Sequence, residues 1–162
     1  QRGFSISYAD IIAFSGAVAI HKTGGPKIYL KIGRIDANEA GNRMKILSSD
    51  LTIRELLDNF SRMGLSTKDL VVLSGAHTIG KANTKPMTSD LYQFSNSYFK
   101  KLVQFCNGFR GEALEILNSD IALLDTSETK RFVELYARDE ISFFNDFAKT
   151  YQKLSSLGQN NV

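Results

Sequence analysis

The chain has 162 residues, of which 43% are hydrophobic and 23% charged, with a net charge of +3 and a single cysteine. That length supports one domain with a real core. The basic residues are interleaved with acidic ones and form no nucleic-acid footprint, and the lone Cys106 excludes an intrachain disulfide. The longest apolar run, Ile11 to Ile20, contains Ser15 and Gly16 and is too short to cross a bilayer.

Helix is predicted first from Ser5 or Ser7 to Ile20, where Ile11, Ile12, Phe14, Val18 and Ala19 recur at helical spacing. Gly24, Gly25 and Pro26 break it. In KIYLKI, Ile28, Leu30 and Ile32 alternate with other residues, as in a short strand or an extended arm. Residues 37–48 read as a loop. Asp50 or Thr52 starts a second helix with the stripe Ile53, Leu56, Leu57 and Phe60, which stops near Gly64. Ser66 or Thr67 caps a third, with Leu70, Val71 and Leu73 inward and Gly75 closing it.

In the second half, Tyr98, Phe99, Leu102, Val103 and Phe105 share one broad apolar face. GEALEILNSDIALL predicts a short helix and then a loop around Asn118 to Asp120. From Asp139 to Leu157, the residues Ile141, Phe143, Phe144, Phe147, Tyr151 and Leu154 mark a long amphipathic helix. The fold class is therefore all-α, one domain over residues 1–162, with little sheet. The chain opens on Gln1 rather than Met, so a preceding segment is expected.

The stretch LSGAHTIGKA, residues 73–82, carries the chemistry. Gly75, Gly80 and Lys81 have the spacing of a phosphate loop, but Ala82 stands where a Ser or Thr would ligate magnesium. Such a loop must also open a helix, and Pro86 would interrupt one. His77 is the better candidate. Two histidines and one cysteine cannot build a zinc cage, whereas a haem iron needs only one axial protein ligand. Asp120 or Asp125 could orient that imidazole; a purely structural helix-end histidine is the competing reading. His21 suits a helix dipole. Cys106 reads as a small core residue, and Tyr98, Tyr136 and Tyr151 as core packing.

The blocks SYADIIAFSGAVAIHKTGGP, GRIDA, DLVVLSGAHTIGKA, FSNSYFKKL and VELYARDEISFFNDFAKTYQKLSSLG resemble the plant-type haem peroxidase superfamily, in that family's order and over nearly the whole chain. The last block is most similar to intracellular ascorbate peroxidases. The resemblance implies a helical domain that holds haem b between two halves, with only the proximal half here and the distal, N-terminal helices lacking. On that resemblance His77 is the axial ligand and Asp120 the carboxylate behind it. Met87 takes the place of a proximal tryptophan. Thr78, Thr88 and Asp90 match a potassium or calcium site, but Ser95 stands where it needs a further carboxylate, which weakens the expectation of a cation there. Asn83 and Lys85 are candidates for a haem propionate.

The resemblance also has gaps. No segment matches the family's distal helix, whose arginine and histidine perform acid–base work on peroxide. The segment from Asn83 to Pro86 is too short to carry the arginine that holds ascorbate. The expectation is a degenerate, non-catalytic domain acting as a structural subunit of an organellar assembly, such as one on a photosynthetic membrane. The alternative is the proximal half of an active peroxidase that reduces hydrogen peroxide with a small-molecule donor. Other protein subunits, or a preceding N-terminal segment, are expected to cover the face around His77, lined by Leu73, Ile79, Leu117 and Ile121. No nucleic-acid partner is expected, and any membrane association would be peripheral, through the complex. The expected compartment is the chloroplast, with mitochondrion and cytosol as alternatives.

Overall fold

Ser7, Thr52, Ser66, Thr126 and Asp139 each accept, through a side-chain oxygen, the backbone N–H three residues ahead, and so start five helices. At Thr52 and Ser66 the bond is reciprocated by Glu55 and Asp69, which closes a capping box. The computed structural model describes residues 6–39, 47–82, 84–109 and 114–158. Among these the order is α1 (Tyr8–Lys22), α2 (Ile53–Arg62), α3 (Thr67–Ser74), a 3₁₀ turn (Gly75–Thr78), β1 (Lys81–Ala82), β2 (Lys85–Pro86), α4 (Ser97–Cys106), α5 (Asn118–Ala122), α6 (Ser127–Arg138) and α7 (Glu140–Ser155). The two short strands pair antiparallel, Lys81 with Pro86. The domain is all-α in its architecture, as its composition and periodicity imply. No helix among the described residues is long and apolar enough to cross a membrane.

The core lies where α3, α4, α6 and α7 meet. Phe143 is its centre: its ring centroid lies 4.9 Å from Phe99, 5.6 Å from Phe94 and from Phe147, and 5.9 Å from Tyr136. Residues 25–37 form an extended arm rather than a strand. Asp10 anchors it, accepting from Gly33 N at 2.9 Å and pairing with Arg34 Nη1 at 2.7 Å. Arg34 Nε then reaches Ser155 O at 2.9 Å, so the arm ties α1 to the end of α7.

Several expectations need correction. In α1 three of the large residues do not face the core: Ile11, Ile12 and Val18 are exposed, while Asp10, Ala13, Ala17 and Ile20 are buried. The helix is apolar on both sides, so periodicity could not choose, and close approach selected the small-residue side. Tyr151 Oη donates to Ala13 O at 3.0 Å, and a β-carbon at Gly16 would lie 2.1 Å from that hydroxyl. Ile141 is also exposed, at the first turn of α7. Asn118–Ala122 is helix, not loop; five residues are too few to show a period. Helix α6 has no counterpart among the predicted elements. Cys106 is exposed at the end of α4 rather than in the core.

Candidate functional site

His77 is held by the surface its turn sits on. Helix α3 buries Leu70, Val71 and Val72 and runs directly into the 3₁₀ turn. Gly75, which opens that turn, is buried with ordinary helical φ of −58°. It is glycine because of space: a β-carbon there would lie 2.5 Å from Phe143 Cε2 and 2.9 Å from Phe99 Cε2. The chain leaves the turn through Gly80 at φ +86°, a conformation that favours glycine. Lys81 is exposed in β1 and opens no helix, so the phosphate-loop spacing carries no phosphate-loop geometry.

The His77 Nδ1–H donates to Asp120 Oδ1 at 2.8 Å. Tyr98 Oη donates to the same oxygen at 2.8 Å, and Leu117 N donates to Oδ2 at 3.0 Å. Asp120 is 1% exposed, so its carboxylate is compensated by three donors rather than by water. The Tyr98 ring meets the imidazole edge-on, with centroids 5.8 Å apart. Burial, and then the Asp120 charge, hold the Tyr98 proton far more tightly than in a free tyrosine. With Nδ1 committed, Nε2 is the imidazole atom left to coordinate.

The His77 side chain is 40% exposed, unlike its partner. It lines a cleft of about 290 Å³ whose walls include Leu56, Phe60, Leu70, Leu73 and Leu117. Leu73 and Leu117 are thus where the sequence placed them, whereas Ile79 and Ile121 do not line this cleft. Met87 is buried; its N–H donates to Gly80 O at 3.1 Å, and its carbonyl accepts from Lys101 Nζ.

Thr78, Thr88 and Asp90 come together. Thr88 Oγ1 donates to Thr78 O at 2.6 Å and lies 3.1 Å from Asp90 O, while Thr78 Oγ1 is buried with no hydrogen-bond partner among the described residues. Asp90 Oδ1 instead accepts Tyr92 N at 3.1 Å, and the Ser95 hydroxyl pairs with Ser97. Lys85 is exposed on β2 and is not part of the cleft wall. Asn83 lies outside the described residues.

Two residues escaped the sequence reading. Tyr98 packs in the core, as its helical spacing implies, and its hydroxyl is also a second donor to Asp120. Lys101 is 8% exposed, in the apolar face of α4 between Phe99 and Leu102. A lysine interrupting that face was the available signal.

One half-exposed imidazole backed by one buried carboxylate offers a single ligand, which could serve a haem iron but is too few for zinc. Residues 1–139 match the family model described as Peroxidase. The chain belongs to the plant-type haem peroxidase family. It is 42% identical over 161 residues to L-ascorbate peroxidase 3 of Arabidopsis thaliana, covering 96% of this chain and 55% of that protein. With probable L-ascorbate peroxidase 3, peroxisomal, of Oryza sativa subsp. japonica it shares 40% over 164 residues, 98% of this chain and 55% of the relative. With L-ascorbate peroxidase T, chloroplastic, of Arabidopsis thaliana it shares 36% over 182 residues, 95% and 42% respectively. The chain spans about half the length of the curated relatives it matches. The peroxidase family typically binds haem, and His77, Asp120 and the apolar cleft fit that group.

Proposed function

We propose that the chain is the haem-ligating half of an ascorbate-peroxidase-like domain, with His77 Nε2 as the axial ligand of haem b. The observation that carries this reading is the asymmetry of the pair. A histidine kept only for packing would be buried with its aspartate, yet the Asp120 side chain is 1% exposed and that of His77 40%, at the edge of an apolar cleft. Asp120 orients the ring, keeps its proton on Nδ1 and strengthens Nε2 as a donor. Leu73 and Leu117 supply apolar wall and exclude water from the ligand side. Bound there, haem supplies the iron redox chemistry through which peroxidases reduce hydrogen peroxide.

That reduction also needs a group to take the peroxide proton and return it to the leaving oxygen. His21 is the other histidine of these 162 residues, and its Nδ1 lies 3.4 Å from Gly25 O in the turn after α1. We therefore assign the chain ligand-side chemistry, with the acid–base groups supplied from outside residues 1–162. The reductant is a small-molecule donor, and ascorbate itself is not proposed.

A second reading, a non-catalytic subunit, is favoured by α1. Tyr8, Ile11, Ile12 and Val18 are exposed along one side of it, a surface suited to a protein neighbour in a larger assembly. Relatives named peroxisomal, cytosolic and chloroplastic are compatible with the chloroplast without singling it out.

Titration of the purified chain with haem tests the first reading. A Soret band should appear, and His77→Ala should abolish it. A wild-type chain that folds but takes up no haem overturns the ligand role and leaves the subunit. A band with peroxide-dependent phenol oxidation by these 162 residues alone would overturn the need for outside acid–base groups.

A further inference from the structure

We propose that Tyr98 is a positioning residue for the iron ligand: its buried phenol hydroxyl shares Asp120 Oδ1 with the His77 Nδ1–H, weakens the pull of that carboxylate on the imidazole and favours the reduced iron. The inference rests on the haem reading above.

Two donors end on one oxygen atom. His77 Nδ1 and Tyr98 Oη each lie 2.8 Å from Asp120 Oδ1, while Leu117 N donates to Oδ2 at 3.0 Å. A carboxylate oxygen that accepts two hydrogen bonds offers less charge to each than it would offer to one. Bulk water does not level this competition, because Tyr98 is fully buried and Asp120 is 1% exposed. The phenol is also fixed by packing: its ring meets Phe99 edge-on with centroids 5.0 Å apart, and it meets the His77 imidazole edge-on from the other residue's side at 5.8 Å. Asp120 is held in turn through Oδ2 at the start of α5, so Oδ1 cannot swing towards the imidazole without stretching its other bonds.

The consequence for the iron has a definite sign. With part of its charge engaged by the phenol, Asp120 leaves the Nδ1 proton nearer the imidazole ring. Nε2 is then a weaker axial donor, which stabilises oxidised iron less and favours the reduced form. A phenol kept only to fill the core would need an acceptor, but not the oxygen that His77 already uses. Tyr136 is such a phenol. It is equally buried, and it donates to Asp146 Oδ2 at 2.9 Å, a carboxylate that pairs with Lys68 rather than with His77.

The test compares haem-loaded wild type with Tyr98→Phe, which keeps the ring and removes the donor, and with a fluorinated tyrosine at position 98, whose more acidic hydroxyl is a stronger donor. Tyr136→Phe is the control for loss of a buried phenol elsewhere in the core. The midpoint potential of Tyr98→Phe should move to more negative values and the iron–histidine stretch of its reduced form to higher frequency. The fluorinated residue should shift both the other way, and Tyr136→Phe should leave both near wild type. Equal shifts in Tyr98→Phe and Tyr136→Phe, or none in Tyr98→Phe, overturn the proposal. Should Tyr98→Phe not fold, the fluorinated residue decides, and an unmoved or more negative potential overturns it. The proton resonance of His77 Nδ1–H in the haem-free chain separates the two claims. It should move downfield in Tyr98→Phe and upfield with the fluorinated residue whether or not haem binds. An unmoved resonance sinks the role of Tyr98, whereas absence of haem uptake by wild type sinks the haem reading.

Discussion

At the scale of single residues, Asp120 is the group on which the site depends. Asp120→Ala strands the Tyr98 hydroxyl in a fully buried position and leaves two further donors without their acceptor. It should cost about 2–4 kcal/mol in denaturant unfolding. His77→Ala removes a half-exposed ring but leaves the buried Asp120 carboxylate one donor short, so the haem-free chain should lose about 1–3 kcal/mol while haem uptake disappears. A chain that still folds but takes up no haem separates a ligand from a packing residue. Tyr98 and Tyr136 give a pH signature. Burial is the larger cause of both raised values, followed by the charge of Asp120 for Tyr98 and the hydrogen bond to Asp146, at 2.9 Å, for Tyr136. Since both hold their protons more tightly folded than unfolded, their stabilisation is whole below pH ~10 and declines above it. Thermal melts should show a steep alkaline loss, shallower in Tyr136→Phe.

At the scale of elements, the 3₁₀ turn decides where His77 points, and its seat is Gly75 against Phe143 and Phe99. Gly75→Ala should cost about 1–3 kcal/mol by overpacking and reduce haem affinity without touching a ligand atom. Ser66→Ala, which removes the cap of the helix leading into that turn, should cost about 1 kcal/mol and leave affinity nearly unchanged, because the turn is held by its packing. Fluorescence-monitored unfolding beside haem titration checks both. Helices α2, α3 and α7 were legible because caps and periodicity agreed within each. Helix α5 was not, since five residues are too few to show a period; Asp120 closes its start locally by accepting Leu117 N, and Asn118 Nδ2 reaches Asp50 Oδ1 at 2.9 Å only across sequence distance.

At the scale of the molecule, one aromatic core supports the site from beneath, and the apolar side of α1 lies open. Phe143→Ala should cost about 3–5 kcal/mol and should also disorder the His77 turn, because the same ring that centres the core supports Gly75. On α1, Ile12 is 72% exposed. Ile12→Ser should change the stability of the chain by less than about 0.5 kcal/mol but weaken association with any chain that covers this helix, as read by sedimentation. Equal loss of stability and association would instead place Ile12 in the fold itself.

The sequence by itself determined the family and the helical class, and through that resemblance it pointed to Asp120 rather than Asp125 as the partner of His77. His77 and Asp120 are 43 residues apart yet meet at 2.8 Å, as the motifs that carry them imply. Only the tertiary structure decided which side of α1 is buried, that Tyr98 donates to Asp120 and that Lys101 lies inside. These depend on helix rotation and on which neighbour closes each hydrogen bond. Periodicity gives a helix its faces, but only the surface packed against it selects among them.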